Sequence, residues 1–172
     1  SDPICFHKDT LIETDQGLVK ITDLKNYHTI ENSKIIYVLK SPNKPNKLVL
    51  IKKNAFGDSM PSKDVIVTRN HTIILNDKIV FALNLVNDDT IKLINNDDTD
   101  VYNIFLLNKR FINVCNLSLG VIHVCHDDYN KLKQYCNLNN CKDFLFGDRD
   151  VKHEYRNYTK VEINDYKKFA EI

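Results

Sequence analysis

At 172 residues the chain is long enough to bury a core as one domain without staples. Its 24 Lys and Arg against 23 Asp and Glu give a net charge of +1, which leaves no electrostatic footprint for nucleic acid or an anionic membrane. No apolar run approaches the roughly 18 residues that span a bilayer, and the start lacks the basic-then-apolar pattern of a secretion signal.

Five cysteines, at positions 5, 115, 125, 136 and 141, are an odd number, so a complete disulfide framework is not expected. Free thiols favour a reducing, cytoplasmic setting over a secreted one.

In chain order, alternating apolar residues predict a hairpin of 10–14 with 18–21 about Asp15-Gln16-Gly17. Thr22-Asp23-Leu24 turns the chain. The aliphatic runs 34–39 and 47–52 predict a second hairpin, with Pro42 and Pro45 excluding regular structure between them. A loop over 55–61 precedes a buried strand at 65–67, then strands at 72–75 and 79–82 joined by a tight turn at Asn76-Asp77. Further strands follow at 90–94, 101–107 and 111–114, the last two read as a hairpin about Asn108-Lys109. Short strands at regular spacing predict an all-β fold. The β-branched enrichment ends near Gly120, so 117–172 reads as an appended segment, partly helical at 128–135 and 166–172.

Cys5 follows only four residues, and 1–4 read as the stub of an upstream polypeptide or a remnant of tag removal. A thiol at that place is able to attack the carbonyl of Ile4 and convert the peptide to a thioester. Thiolate is the nucleophile, so Cys5 needs activation or a polarised target. Thr68 and His71 meet at one spot if the chain bends at Arg69-Asn70. The histidine then supplies acid–base help, and the threonine hydroxyl holds the amide. Read alone, the cysteine is an ordinary small buried hydrophobe, and Thr-x-x-His is a common turn.

The joint pattern is more specific. Cys5-Phe6, Asp9-Thr10-Leu11-Ile12, Gly17 and Ile21-Thr22-Asp23-Leu24 resemble the opening block of the Hedgehog/intein (HINT) superfamily. Pro61, Asp64, Val67-Thr68 and Asn70-His71-Thr72-Ile73, then Ala82 and Leu85-Val86-Asn87, resemble its second block. Val101-Tyr102-Asn103-Ile104 and Phe111-Ile112-Asn113-Val114 resemble its closing block. Pro-x-x-Asp ahead of Thr-x-x-His is most similar to the Vint branch.

The resemblance implies an all-β horseshoe over 5–116 whose ends meet at the active site. It assigns Cys5 as nucleophile of an N-to-S acyl shift, assisted by Thr68 and His71. Its substrate is its own upstream polypeptide, and water or a small thiol takes the acyl group. The domain acts once, as a monomer and without a cofactor. Sterol transfer of the Hedgehog kind is not expected, since 42–47 offers no acid. The intein-like alternative is cleavage after Asn116, or splicing, with Cys115 standing where inteins carry an assisting histidine. Asn116 as a plain turn residue is the competing reading. A processing-dead binding module of the same fold is the rival function.

Four further features stay open. Asp64 or Asp9 either orients His71 or bonds a turn backbone. Cys115 either forms a redox gate with Cys5 or is an inert thiol. His123, Cys125, His126, Cys136 and Cys141 are zinc-ligand types within a short stretch. A structural zinc, a Cys136–Cys141 disulfide and unlinked side chains are all compatible with that stretch.

Overall fold

A computed structural model describes residues 4–25, 27–41, 44–106, 109–123 and 153–155. Its strands are β1 (Phe6–His7), β2 (Leu11–Thr14), β3 (Gly17–Lys20), β4 (Thr29–Ile30), β5 (Ser33–Lys40), β6 (Lys47–Ile51), β7 (Val65–Val67), β8 (Thr72–Leu75), β9 (Lys78–Phe81), β10 (Ile91–Asn95), β11 (Val101–Leu106), β12 (Phe111–Val114), β13 (Leu117–Gly120), β14 (Ile122–His123) and β15 (His153–Tyr155). Short 3₁₀ turns cover Ile21–Asp23 and Ala82–Leu85. The fold is all-β, as the strand pattern predicts. Among the described residues no helix is long and apolar enough to cross a membrane. The helices expected at 128–135 and 166–172 lie outside the described residues.

The large sheet runs β10-β6-β7-β1-β11-β5-β15, with β14 beside β11 and β4 beside β5. A second sheet runs β12-β13-β8-β9, and β2 pairs with β3 alone. The core lies between these layers and includes Phe6, Ile12, Ile51, Ile73, Ile104 and Leu119, all fully buried.

Local hairpins form where the turn chemistry is local. Asp15-Gln16 joins β2 to β3, with Gly17 at φ 110 closing the turn. Three other two-residue loops, Glu31-Asn32, Asn76-Asp77 and Cys115-Asn116, hold both residues at positive φ. That is the backbone of the turn whose twist matches the flanking strands. Asp77 sits at φ 61, where a Cβ is strained and a glycine is not. Asp77→Gly is therefore expected to stabilise the fold by about 0.5 kcal/mol, read as a higher urea midpoint at unchanged slope.

Two expected pairings are replaced by others. β5 and β6 do not pair with each other: β5 pairs with β11, and β6 lies between β10 and β7. The segment between them holds two prolines and six residues, too long and too stiff to impose a register, so non-local apolar partners decide. Likewise β12 turns not from β11 but into β13, through Cys115-Asn116. β13 lies between β12 and β8 and buries Leu117 and Leu119. The boundary expected at 116/117 thus falls inside a hairpin turn of this sheet.

Candidate active site

β1 is only two residues long but is paired on both sides. Phe6 stands opposite Val67 of β7 and opposite Tyr102 of β11. Both pairings are antiparallel, so one residue earlier on β1 faces one residue later on each neighbour. Cys5 consequently lies between Thr68 and Asn103, and the register alone brings these three together.

Thr68 engages the Cys5 backbone at both its polar groups. Its Oγ1 accepts from the Cys5 N–H at 2.9 Å. Its own N–H donates to the Cys5 carbonyl at 3.0 Å, and the hydroxyl lies 3.3 Å from the same oxygen. The chain then turns at Arg69-Asn70, closed by His71 N–H donating to Thr68 O at 3.1 Å. Ala82 and Leu83 pin this turn from the 3₁₀ segment by donating to His71 O and Arg69 O. The turn returns the His71 ring to Cys5, with Nδ1 3.1 Å from the Cys5 carbonyl. Nε2 lies 2.8 Å from the carbonyl of Gly120, at the end of β13. His71 therefore bridges Cys5, at the start of the fold, and the end of β13. Phe6 packs on its ring at a centroid distance of 4.4 Å.

Both His71 nitrogens face carbonyl oxygens, and a neutral imidazole has one N–H to give. Burial pushes its pKa down to about 4, while the two carbonyl contacts pull the other way. His71 is thus neutral at pH 7 in a cradle shaped for two donors. The Cys5 thiol is fully buried, and burial pushes its pKa far above the ordinary range. It is a neutral thiol at rest, packed near Leu48 and Val101.

The Ile4 carbonyl, the other end of the same peptide, accepts from Asn103 Nδ2 at 2.5 Å. Both polar groups of the Ile4–Cys5 peptide are therefore held, the oxygen by Asn103 and the nitrogen by Thr68. Sequence reading singled out neither Asn103 nor Gly120 for the site. The available signal was a carboxamide in the middle of the buried run β11, which requires a partner. Gly120 acts through its backbone, and no side chain announces it.

The remaining candidates lie elsewhere. Asp64 accepts from the Lys53 N–H at 2.8 Å, and Asp9 pairs with Lys20 at 3.1 Å; neither carboxylate bonds to His71. Cys115 and Asn116 form the β12–β13 turn, whose geometry places them about 13 Å of strand away from Gly120. The Asn116 carboxamide donates to Ser59 O at 2.9 Å. Cys115 is partly buried and lines a surface cavity of about 290 Å³ with Asp9, Lys63 and Asp64, a cavity that Cys5 does not line. Cys5 and Cys115 are both free thiols. Cys125, His126, Cys136 and Cys141 lie outside the described residues, as does the side chain of His123. Among the described residues no three His, Cys, Asp or Glu side chains gather where they would hold a metal.

A family model described as the Hint domain matches residues 4–119. Among solved structures the chain is similar to a DnaB intein from Synechocystis sp. PCC 6803, with 16% identity, a TM-score of 0.50, and 69% of this chain and 99% of that one covered. It is similar to an intein-like domain from Clostridium thermocellum at 18% identity and a TM-score of 0.52, covering 70% and 99%. The gp41-1 intein matches at 12% identity and a TM-score of 0.50, covering 69% and 99%. At these identities the likeness is one of fold. No curated protein is similar enough in sequence to count as a match.

Proposed function

Because the chain belongs to the Hint-domain family, we propose that it is a self-processing domain that breaks the Ile4–Cys5 bond by an N-to-S acyl shift. The observation that carries this reading is the double hold on that one peptide: Asn103 on its oxygen and Thr68 on its nitrogen. In the shift, Sγ bonds to the Ile4 carbonyl carbon, and the C–N bond breaks. The thiol proton ends on the Cys5 nitrogen, so no external acid is consumed. Thr68 Oγ1, 2.9 Å from that nitrogen, is the polar group in reach of it. Neutral His71 takes part as acid–base partner, with a proton on either nitrogen stabilised by a carbonyl.

Water or a small thiol then opens the thioester and releases the upstream polypeptide. The domain turns over once, as a monomer and on itself. The processing unit runs from Cys5 through β13, with the later chain appended. Pro61-x-x-Asp64 ahead of Thr68 supports the Vint branch as its place in the family.

Cleavage after Asn116 and splicing lack comparable support. Asn116 is bonded in a turn away from Cys5, and the cut would detach β13 from the middle of its sheet.

A folded reporter placed before Ile4 tests the proposal by intact mass. Release after Ile4 is expected, faster with dithiothreitol, and Cys5→Ala is expected to keep the fusion whole. A fusion that stays intact under every condition leaves a processing-dead module instead. A mass break after Asn116 would move the chemistry to the other end.

A further inference from the structure

All six residues of β11 are buried, and Asn103 among them is fully so. A carboxamide in such a place is costly to bury unless both ends are satisfied. Its Oδ1 accepts from the Ile104 N–H at 2.7 Å, and its Nδ2 donates to the Ile4 carbonyl. Exchanging the two ends would set an amine against an N–H and an oxygen against a carbonyl, so the network fixes which end faces Ile4. The donor is neutral, its orientation is set by its own strand, and its target is the one oxygen that gains charge when a nucleophile adds to Ile4.

We propose that Asn103 is a catalytic residue, the oxyanion donor for attack on the Ile4–Cys5 bond, an inference that rests on Cys5 being the nucleophile. As Sγ bonds to the Ile4 carbon, the carbonyl π pair moves onto oxygen, and the Nδ2–H already directed there meets a full negative charge. Collapse returns the pair to the C=O bond and expels the Cys5 nitrogen with the C–N pair and the proton that the thiol gave up. One C–S bond forms, one C–N bond breaks, and nothing is oxidised. Donors fixed in place before the charge arrives need no reorganisation in a site closed to water.

An aspartate has the same shape but, ionised, only accepts. Asn103→Asp is therefore expected to slow release of the upstream reporter at pH 7.5 by about a hundredfold or more. The ratio of wild-type to variant rates should shrink toward pH 5, as the carboxyl regains a proton to donate. Recovery there also shows that the variant is folded. Asn103→Ala should be slow at both pH values.

A second readout needs no turnover. The Cys5→Ala chain contains one Ile–Ala peptide, at the upstream bond. Labelling isoleucine with carbonyl ¹³C and alanine with ¹⁵N therefore gives one carbonyl signal for Ile4. Adding Asn103→Ala should move that signal upfield through loss of its hydrogen bond. If the wild-type fusion releases its reporter and both Asn103 variants keep pace, or if the Ile4 signal does not move, the assignment to Asn103 falls alone. If the wild-type fusion releases nothing at Ile4–Cys5, the processing reading falls and takes this role with it.

Discussion

Between pH 6.5 and pH 4 the unfolding free energy is expected to fall by about 3 kcal/mol on account of His71 alone. Its folded pKa, about 4, lies below the ordinary 6.5, so in that window the unfolded chain binds a proton that the folded chain does not. Stability from His71 is fully present above about 6.5, declines as pH falls, and stops changing below about 4. The lowered carboxyls of Asp9 and Asp15 act in the same direction, but only below their ordinary 3.8, so the two windows separate. His7 and His28 are also lowered, by partial burial first, and add smaller slopes inside the His71 window. Urea midpoints taken every half pH unit, for the wild type and His71→Gln, isolate the His71 part as the difference in slope. Parallel curves would show that the ring is not held neutral by burial. On the alkaline side the sign reverses. The buried Cys5 thiol keeps its proton after an unfolded cysteine has lost its own near pH 9, so stability falls again above that value.

His71→Ala is expected to slow release of the upstream polypeptide by about 10² to 10⁴. It removes the ring whose Nδ1 lies 3.1 Å from the Cys5 carbonyl, leaves that oxygen and Gly120 O without the imidazole, and opens a void against Phe6. Such a change also destabilises, by about 3 kcal/mol or more. Rate and stability must therefore be read together, with circular dichroism taken at the temperature of the cleavage assay. A folded variant that releases its reporter at the wild-type rate would confine His71 to a structural role.

The parts of this fold legible in the sequence are those encoded within a few residues. The β2–β3 and β8–β9 hairpins follow from two-residue turns between alternating strands, and the bend at Arg69-Asn70 from two polar residues between apolar runs. The partners of β5, β6 and β12 did not follow. Long-range pairing depends on which apolar edges meet, and a local pattern holds no record of that. Thr68 and His71 stood out because a turn of fixed length joins them. Asn103 became a candidate only once the register set it opposite Cys5, for in sequence it is one asparagine in an apolar strand. Asn116 shows the reverse, with a suggestive neighbourhood but a place in a β-turn. Of the zinc-ligand types near the end of the chain, Cys125, His126, Cys136 and Cys141 lie outside the described residues.

The hold that Thr68 keeps on the Cys5 backbone bears on the second half of the proposed acyl shift. When the acyl group has moved to sulfur, the new amine is still attached to a residue whose carbonyl is fixed by Thr68 and His71. It therefore stays within striking distance of the carbon that it has just left. Groups confined in this way react as though present at concentrations far above that of any solute, on the order of 10⁵ M in well-aligned cases. In the proposed reaction, recapture by the captive amine would thus outpace ordinary hydrolysis, and the thioester would be a small standing fraction of a reversible exchange. The rate at which the upstream chain departs would then be set by a contest for one acyl carbon, between an amine that cannot leave and whatever nucleophile arrives from solution.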